Sequence, residues 1–130
     1  GEGNGGVIYP ELHYGRDALV GTALFLTQLA EKKVKCSELK QTYPLYVMSK
    51  NKIQLTPTTD VDGILAKFAE KFKNEKVTTI DGVKIDFEEG WVHLRKSNTE
   101  PIIRIYSEGK TEAEAERFAN MILEEAKKMV

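Results

Sequence analysis

Alternation of apolar and polar residues is clearest in the second two thirds of the chain. Leu45, Val47, Ile53 and Leu55 share one parity, with Ser49, Lys50 and Lys52 as polar neighbours, which predicts a strand over residues 45–55, irregular around Asn51. Ile64, Leu65, Phe68, Ala69 and Phe72 recur at the spacing of one buried helical face, predicting a helix over 60–74 with Thr59 or Asp60 as its cap. Short strands at 77–80 and 83–87 flank Asp81-Gly82, a dipeptide suited to a two-residue hairpin turn. Further strands are expected at 91–96 and 102–107, separated by the polar loop 97–101. A final helix over 112–128 opens on a Thr111/Glu114 capping box and carries the stripe Ala115, Phe118, Ala119, Ile122, Leu123 and Ala126.

The N-terminal third reads differently. Residues 1–6 are too glycine-rich for regular structure, and 7–9 form a candidate short strand closed by Pro10. A helix is expected over 16–33, with Asp17 near its start and Lys32 and Lys33 near its negative end. It is apolar around most of its circumference (Leu19, Val20, Leu24, Phe25, Leu26 and Leu29 among others), as helices inside larger domains are. With only some forty residues beside it, this pattern predicts more chain on the N-terminal side. So does a start at Gly1, as in a proteolytic product or an engineered C-terminal piece. Residues 37–41 read as a helical turn with Ser37 as candidate cap. A boundary near Thr42 gives two parts, residues 1–42 and 43–130. The second is α+β, a mainly antiparallel sheet of four to five strands with two helices on one face.

Composition narrows the classes of partner. The 130 residues are 41% hydrophobic and 30% charged, as in globular proteins, with a net charge of −1 that offers no bulk field to nucleic acid. Any anion must be gripped by a few placed donors. The longest apolar run, 18–30, is broken by Gly21, Thr22, Thr27 and Gln28 and is too short to span a bilayer, so no membrane partner is expected. A single cysteine, Cys36, excludes an intramolecular disulfide and fits a cytoplasmic setting. His13 and His93 lack ligand-spaced partners, and Asp60-Val61-Asp62-Gly63 opens a helix, so no metal site is expected.

The segment Arg95-Lys96-Ser97-Asn98-Thr99-Glu100-Pro101, followed by Arg104, carries the candidate chemistry. If Val92 and Leu94 face the helices, alternation puts Trp91, His93 and Arg95 on the open face. If Ile103 and Ile105 face inward, Arg104 joins them there. Two guanidinium forks beside hydroxyl, amide and free N–H donors suit a phosphate dianion. Glu100 repels phosphate and is expected to turn away and orient an arginine. By composition alone, a solvated polar turn explains the segment as well.

The string RKSNTEPIIRIYSE is similar to the phosphate-binding signature of the α-D-phosphohexomutase superfamily, which includes phosphoglucomutase, phosphomannomutase and phosphoglucosamine mutase. The resemblance implies that Arg95, Ser97, Asn98 and Thr99 hold the substrate phosphate, with Arg104 at a position that is arginine in many members. The opening Gly1-Glu2-Gly3-Asn4-Gly5-Gly6 resembles the superfamily's sugar-binding loop, implying Glu2 and Asn4 as ligands to sugar hydroxyls. Some members carry histidine where Gly6 stands, and Asn98 leans the likeness toward the phosphoglucomutase/phosphomannomutase type. Tyr14-Gly15-Arg16-Asp17 resembles the stretch that follows the sugar loop, with Asp17 read as a helix-start residue.

The resemblance further implies that residues 1–42 are the end of an α/β third domain and that 43–130 are a TATA-binding-protein-like fourth domain. It implies a parent enzyme that interconverts hexose 1-phosphate and hexose 6-phosphate through a hexose 1,6-bisphosphate. That chemistry uses a phosphoserine and Mg2+ on an aspartate-rich loop. Neither motif occurs in this chain, so no catalytic residue is expected in it, Mg2+ is expected outside it, and the chain alone is expected to be inactive. Two rival readings are a stand-alone anion-binding or regulatory module and, ranked last, an RNA-binding sheet using Trp91 and Tyr106.

Overall fold

The computed structural model describes residues 1 and 5–129, so Glu2 and Asn4 lie outside the described residues. Two compact units divide at Pro44/Leu45.

In the first unit, α1 (Ala18–Lys32) starts where Asp17, itself extended, accepts the Leu19 and Val20 N–H groups through Oδ1 at 2.9 and 3.0 Å. The Val20 bond first, then the His13 contact to Oδ2 at 3.0 Å, pull the Asp17 carboxyl below its usual range. The helix therefore begins after Arg16, and it ends at Lys33 in the left-handed region (φ 54°). None of its residues is buried within the described structure. The strand expected at 7–9 is absent. Pro10 leads into a turn in which the Tyr9 carbonyl accepts the Leu12 and His13 N–H groups, leaving one isolated Tyr9–His13 bridge. α2 (Cys36–Gln41) buries Leu39, and its cap is Lys35 rather than Ser37, because Glu38 reaches back to the Lys35 N–H at 2.7 Å.

The second unit is the expected α+β layer. Its strands are β1 (Val47–Gln54), β2 (Lys76–Thr78), β3 (Val83–Asp86), β4 (Gly90–Lys96) and β5 (Ile102–Gly109), all antiparallel in the order β1-β5-β4-β3-β2. Helices α3 (Val61–Lys71) and α4 (Glu112–Ala126) cover one face, burying Phe68 and Ile122 against Ile85, Val92, Leu94, Ile103 and Ile105. β1 pairs with β5 without interruption from Val47 opposite Gly109 to Gln54 opposite Ile102, so the irregularity expected at Asn51 does not occur. Asn51 instead donates to the Ser49 hydroxyl at 2.9 Å on the half-buried side of the strand.

Capping follows side-chain chemistry. Asp60 Oδ1 accepts the Gly63 N–H at 3.0 Å, so Asp60-Val61-Asp62-Gly63 serves helix initiation. Thr59 uses its hydroxyl on the Thr56 N–H instead. Thr111 and Glu114 form the reciprocal box at the start of α4. Lys128, beyond α4, and then Lys71 of α3 bind Glu125, pulling its carboxyl from 4.5 down to about 2. Its folded pKa lies below the unfolded one, so its contribution is complete above pH 4.5 and disappears as pH falls toward 2. Glu125→Gln should flatten that acid limb of thermal stability, measured by circular dichroism from pH 6 downward.

The β2–β3 connection departs from the two-residue turn. Val77 pairs with Ile85 and Thr78 with Lys84, leaving residues 79–82 as the loop. A turn confined to Asp81-Gly82 would shift the register by one residue and rotate Val77 away from the core. The observed register packs Val77 against the core and leaves Ile80 93% exposed in the loop. Gly82 has φ +74°, and a Cβ there would lie 2.1 Å from the Leu94 carbonyl oxygen of β4. Gly82→Ala is expected to cost more than about 1 kcal/mol in urea unfolding, from strain at positive φ and collision with backbone.

Candidate functional site

The open face of the sheet follows the strand alternation. Val92 and Leu94 are fully buried, while Trp91 and His93 are half-buried and Arg95 is exposed on the opposite side. On β5, Ile103 and Ile105 are buried, and Arg104, Tyr106 and Glu108 alternate with them. The β4–β5 register sets Arg95 directly opposite Arg104 and His93 opposite Tyr106. β1 extends these rows, with Lys52 opposite Arg104 and Lys50 opposite Tyr106.

Like charges directly across a ladder repel, so the arginine pair needs compensation. It comes from two carboxylates. Asp81 Oδ2 lies 2.9 Å from Arg95 Nε, and Glu100 Oε2 accepts from Arg104 Nη2 at 3.3 Å. Glu100 thus orients an arginine, as its place in the loop suggests. Asp81 is held in turn through its backbone, whose carbonyl lies 2.6 Å from His93 Nε2. The hairpin loop 79–82 is therefore part of the surroundings of Arg95.

Between the two arginines runs the polar loop. Ser97 closes it by donating its N–H to the Ile102 carbonyl at 3.0 Å, and Ile102 donates back to the Glu100 carbonyl at 2.8 Å. The Thr99 N–H approaches the Ser97 hydroxyl at 3.4 Å, the outer limit of a hydrogen bond. The Leu55 N–H, just past the end of β1, anchors the loop by donating to the Pro101 carbonyl at 2.9 Å. Ser97 is half-buried, and Asn98 and Thr99 are exposed. Arg95, Ser97, Asn98, Thr99 and Arg104 are thus brought to one rim of the sheet, and Glu2 and Asn4 lie outside the described residues.

Such a rim can hold an anion. Each guanidinium offers several donors, and a dianion can compete with a single exposed carboxylate for them. Asp81, Lys50 and Lys52 are neighbours that motif reading leaves out. Asp81 stands out in sequence only as turn chemistry. The parity of Lys50 and Lys52 places them on one face, but nothing in it shows that β1 pairs with β5. Among the described residues no group of three or more His, Cys, Asp or Glu could hold a metal ion, and no helix is long and apolar enough to cross a membrane.

Residues 31–125 match the family described as phosphoglucomutase/phosphomannomutase, C-terminal domain. A phosphoglucomutase/phosphomannomutase of Thermococcus kodakarensis is 44% identical over 98% of this chain, and a phosphoglucosamine/phosphogalactosamine mutase of Sulfurisphaera tokodaii is 42% identical over 99% of it. The chain spans only 29% and 28% of those two relatives. A crystal structure of a phosphoglucomutase/phosphomannomutase family protein from Burkholderia thailandensis superposes with a TM-score of 0.69 at 28% identity, over 98% of this chain and 28% of that one.

Proposed function

This chain belongs to the phosphoglucomutase/phosphomannomutase family, and from that premise we propose that it is the phosphate-gripping end of a phosphohexomutase. The whole enzyme interconverts hexose 1-phosphate and hexose 6-phosphate through a hexose 1,6-bisphosphate. Arg95, Ser97, Asn98, Thr99 and Arg104 bind the phosphate that is not reacting, while Glu2 and Asn4 bind sugar hydroxyls. The observation that carries this reading is the register of Arg95 opposite Arg104 at the mouth of a hydroxyl- and amide-bearing loop.

A bisphosphorylated intermediate has to present each phosphate in turn to the reacting group. A fixed cradle remote from that group holds whichever phosphate is idle, so its binding energy serves positioning rather than bond making. Phosphoryl transfer itself falls to a phosphoserine and Mg2+ on residues outside this chain.

Assay of the whole protein with glucose 1-phosphate and mannose 1-phosphate tests the reading. Conversion of at least one by the whole protein, with none by the 130-residue chain, is expected. A whole protein that turns over neither these nor glucosamine 1-phosphate would refute it.

A further inference from the structure

Positive charge is not evenly compensated across the open face. Arg95 faces Asp81 and Arg104 faces Glu100, whereas Lys50 and Lys52 of β1 are exposed and form no ion pair among the described residues. Register sets Lys52 opposite Arg104 and Lys50 opposite Tyr106, and the Lys50 ammonium lies 5.6 Å from the Tyr106 ring centroid. With Glu100 these residues border a depression of about 310 Å³, at the small end of ligand-binding cavities. Three cations thus line it against one carboxylate, which Arg104 already engages at 3.3 Å.

Unneutralised ammonium groups two residues apart on one strand, with a guanidinium opposite, repel one another, and a bound dianion removes that repulsion. We infer that this depression is an anion subsite, centred on Lys52 and walled by Lys50 and Arg104, that takes a phosphate monoester dianion. It lies on the β1 side of Arg104, shares Arg104 and Glu100 with the neighbouring loop, and does not depend on the role given to Ser97, Asn98 and Thr99.

The test is an NMR titration of the 15N-labelled 130-residue chain with inorganic phosphate, with chloride keeping the ionic strength constant. Saturable amide shifts are expected at Lys50, Asn51, Lys52 and Arg104. Lys52→Gln should weaken that response at least threefold and Lys52→Arg should restore it, with the response of Ser97 to Thr99 unchanged in both. An unaltered spectrum elsewhere confirms that each variant is folded. Shifts confined to 97–99 would overturn the subsite and leave the loop reading intact, and so would Lys52→Gln weakening both sets equally, since that means one site. Shifts at 50–52 with a silent loop would support the subsite and count against the loop. Silence everywhere would overturn both.

Discussion

Phe68→Ala is expected to lower the unfolding free energy of the chain by about 3–5 kcal/mol, the usual cost of emptying an aromatic site in a packed core. Phe68 is fully buried on α3, within the core cluster that also holds Ile64, Leu65, Phe118 and Ile122. It also begins a run of rings that crosses the helix layer. Phe68 stacks on Phe72 at 6.5 Å, Phe72 meets Phe87 edge-on at 6.2 Å, and Phe87 stacks on Phe118 of α4 at 4.8 Å. Truncation therefore removes buried area and loosens the seat of α3 together. Urea unfolding followed by tryptophan fluorescence reports it through Trp91 on the far face of the sheet. A loss below about 1 kcal/mol would mean that the core is not packed as described.

In the whole enzyme, Arg95→Ala is expected to lower kcat/KM by roughly 10- to 150-fold. That range corresponds to about 1.5–3 kcal/mol, the worth of a hydrogen bond to a charged group. The substitution also frees Asp81, whose carboxylate then stands uncompensated beside an incoming dianion, which favours the upper half of the range. The loss should be shared between KM and kcat, because the cradle orients the intermediate as well as binding it. Steady-state kinetics with hexose 1-phosphate measures both. An unchanged kcat/KM would remove Arg95 from the site.

Much of this was legible in sequence because the physics is local. Val92 and Leu94 on one parity and Arg95 on the other decide which way β4 faces, and the neighbouring strand repeats the pattern with Ile103, Arg104 and Ile105. Asp17, Asp60 and Thr111 announce three helix starts through their own side chains. What failed depended on distant partners. The β2–β3 register is set by the core that accepts Val77, not by the turn preference of Asp81-Gly82. Asp81 meets Arg95 only because β3 lies against β4, and Lys52 meets Arg104 only because the chain returns to lay β5 beside β1. The first adjacency is the antiparallel connection that the short link between those two strands implies, whereas the second leaves no mark in the local pattern. The roles of the loop residues came from resemblance to a family signature, since a polar loop alone reads equally well as a turn.

The most direct test of the central claim is an NMR titration of the chain with glucose 1,6-bisphosphate, using sulfate as the control anion. A cradle without the rest of its cleft has few contacts, so a Kd near 1 mM, or about −4.1 kcal/mol, is expected. Amide shifts should concentrate at Arg95 to Thr99 and exceed those produced by sulfate. Saturating shifts elsewhere with those five amides unmoved would show that the loop between β4 and β5 is a turn and not the phosphate site.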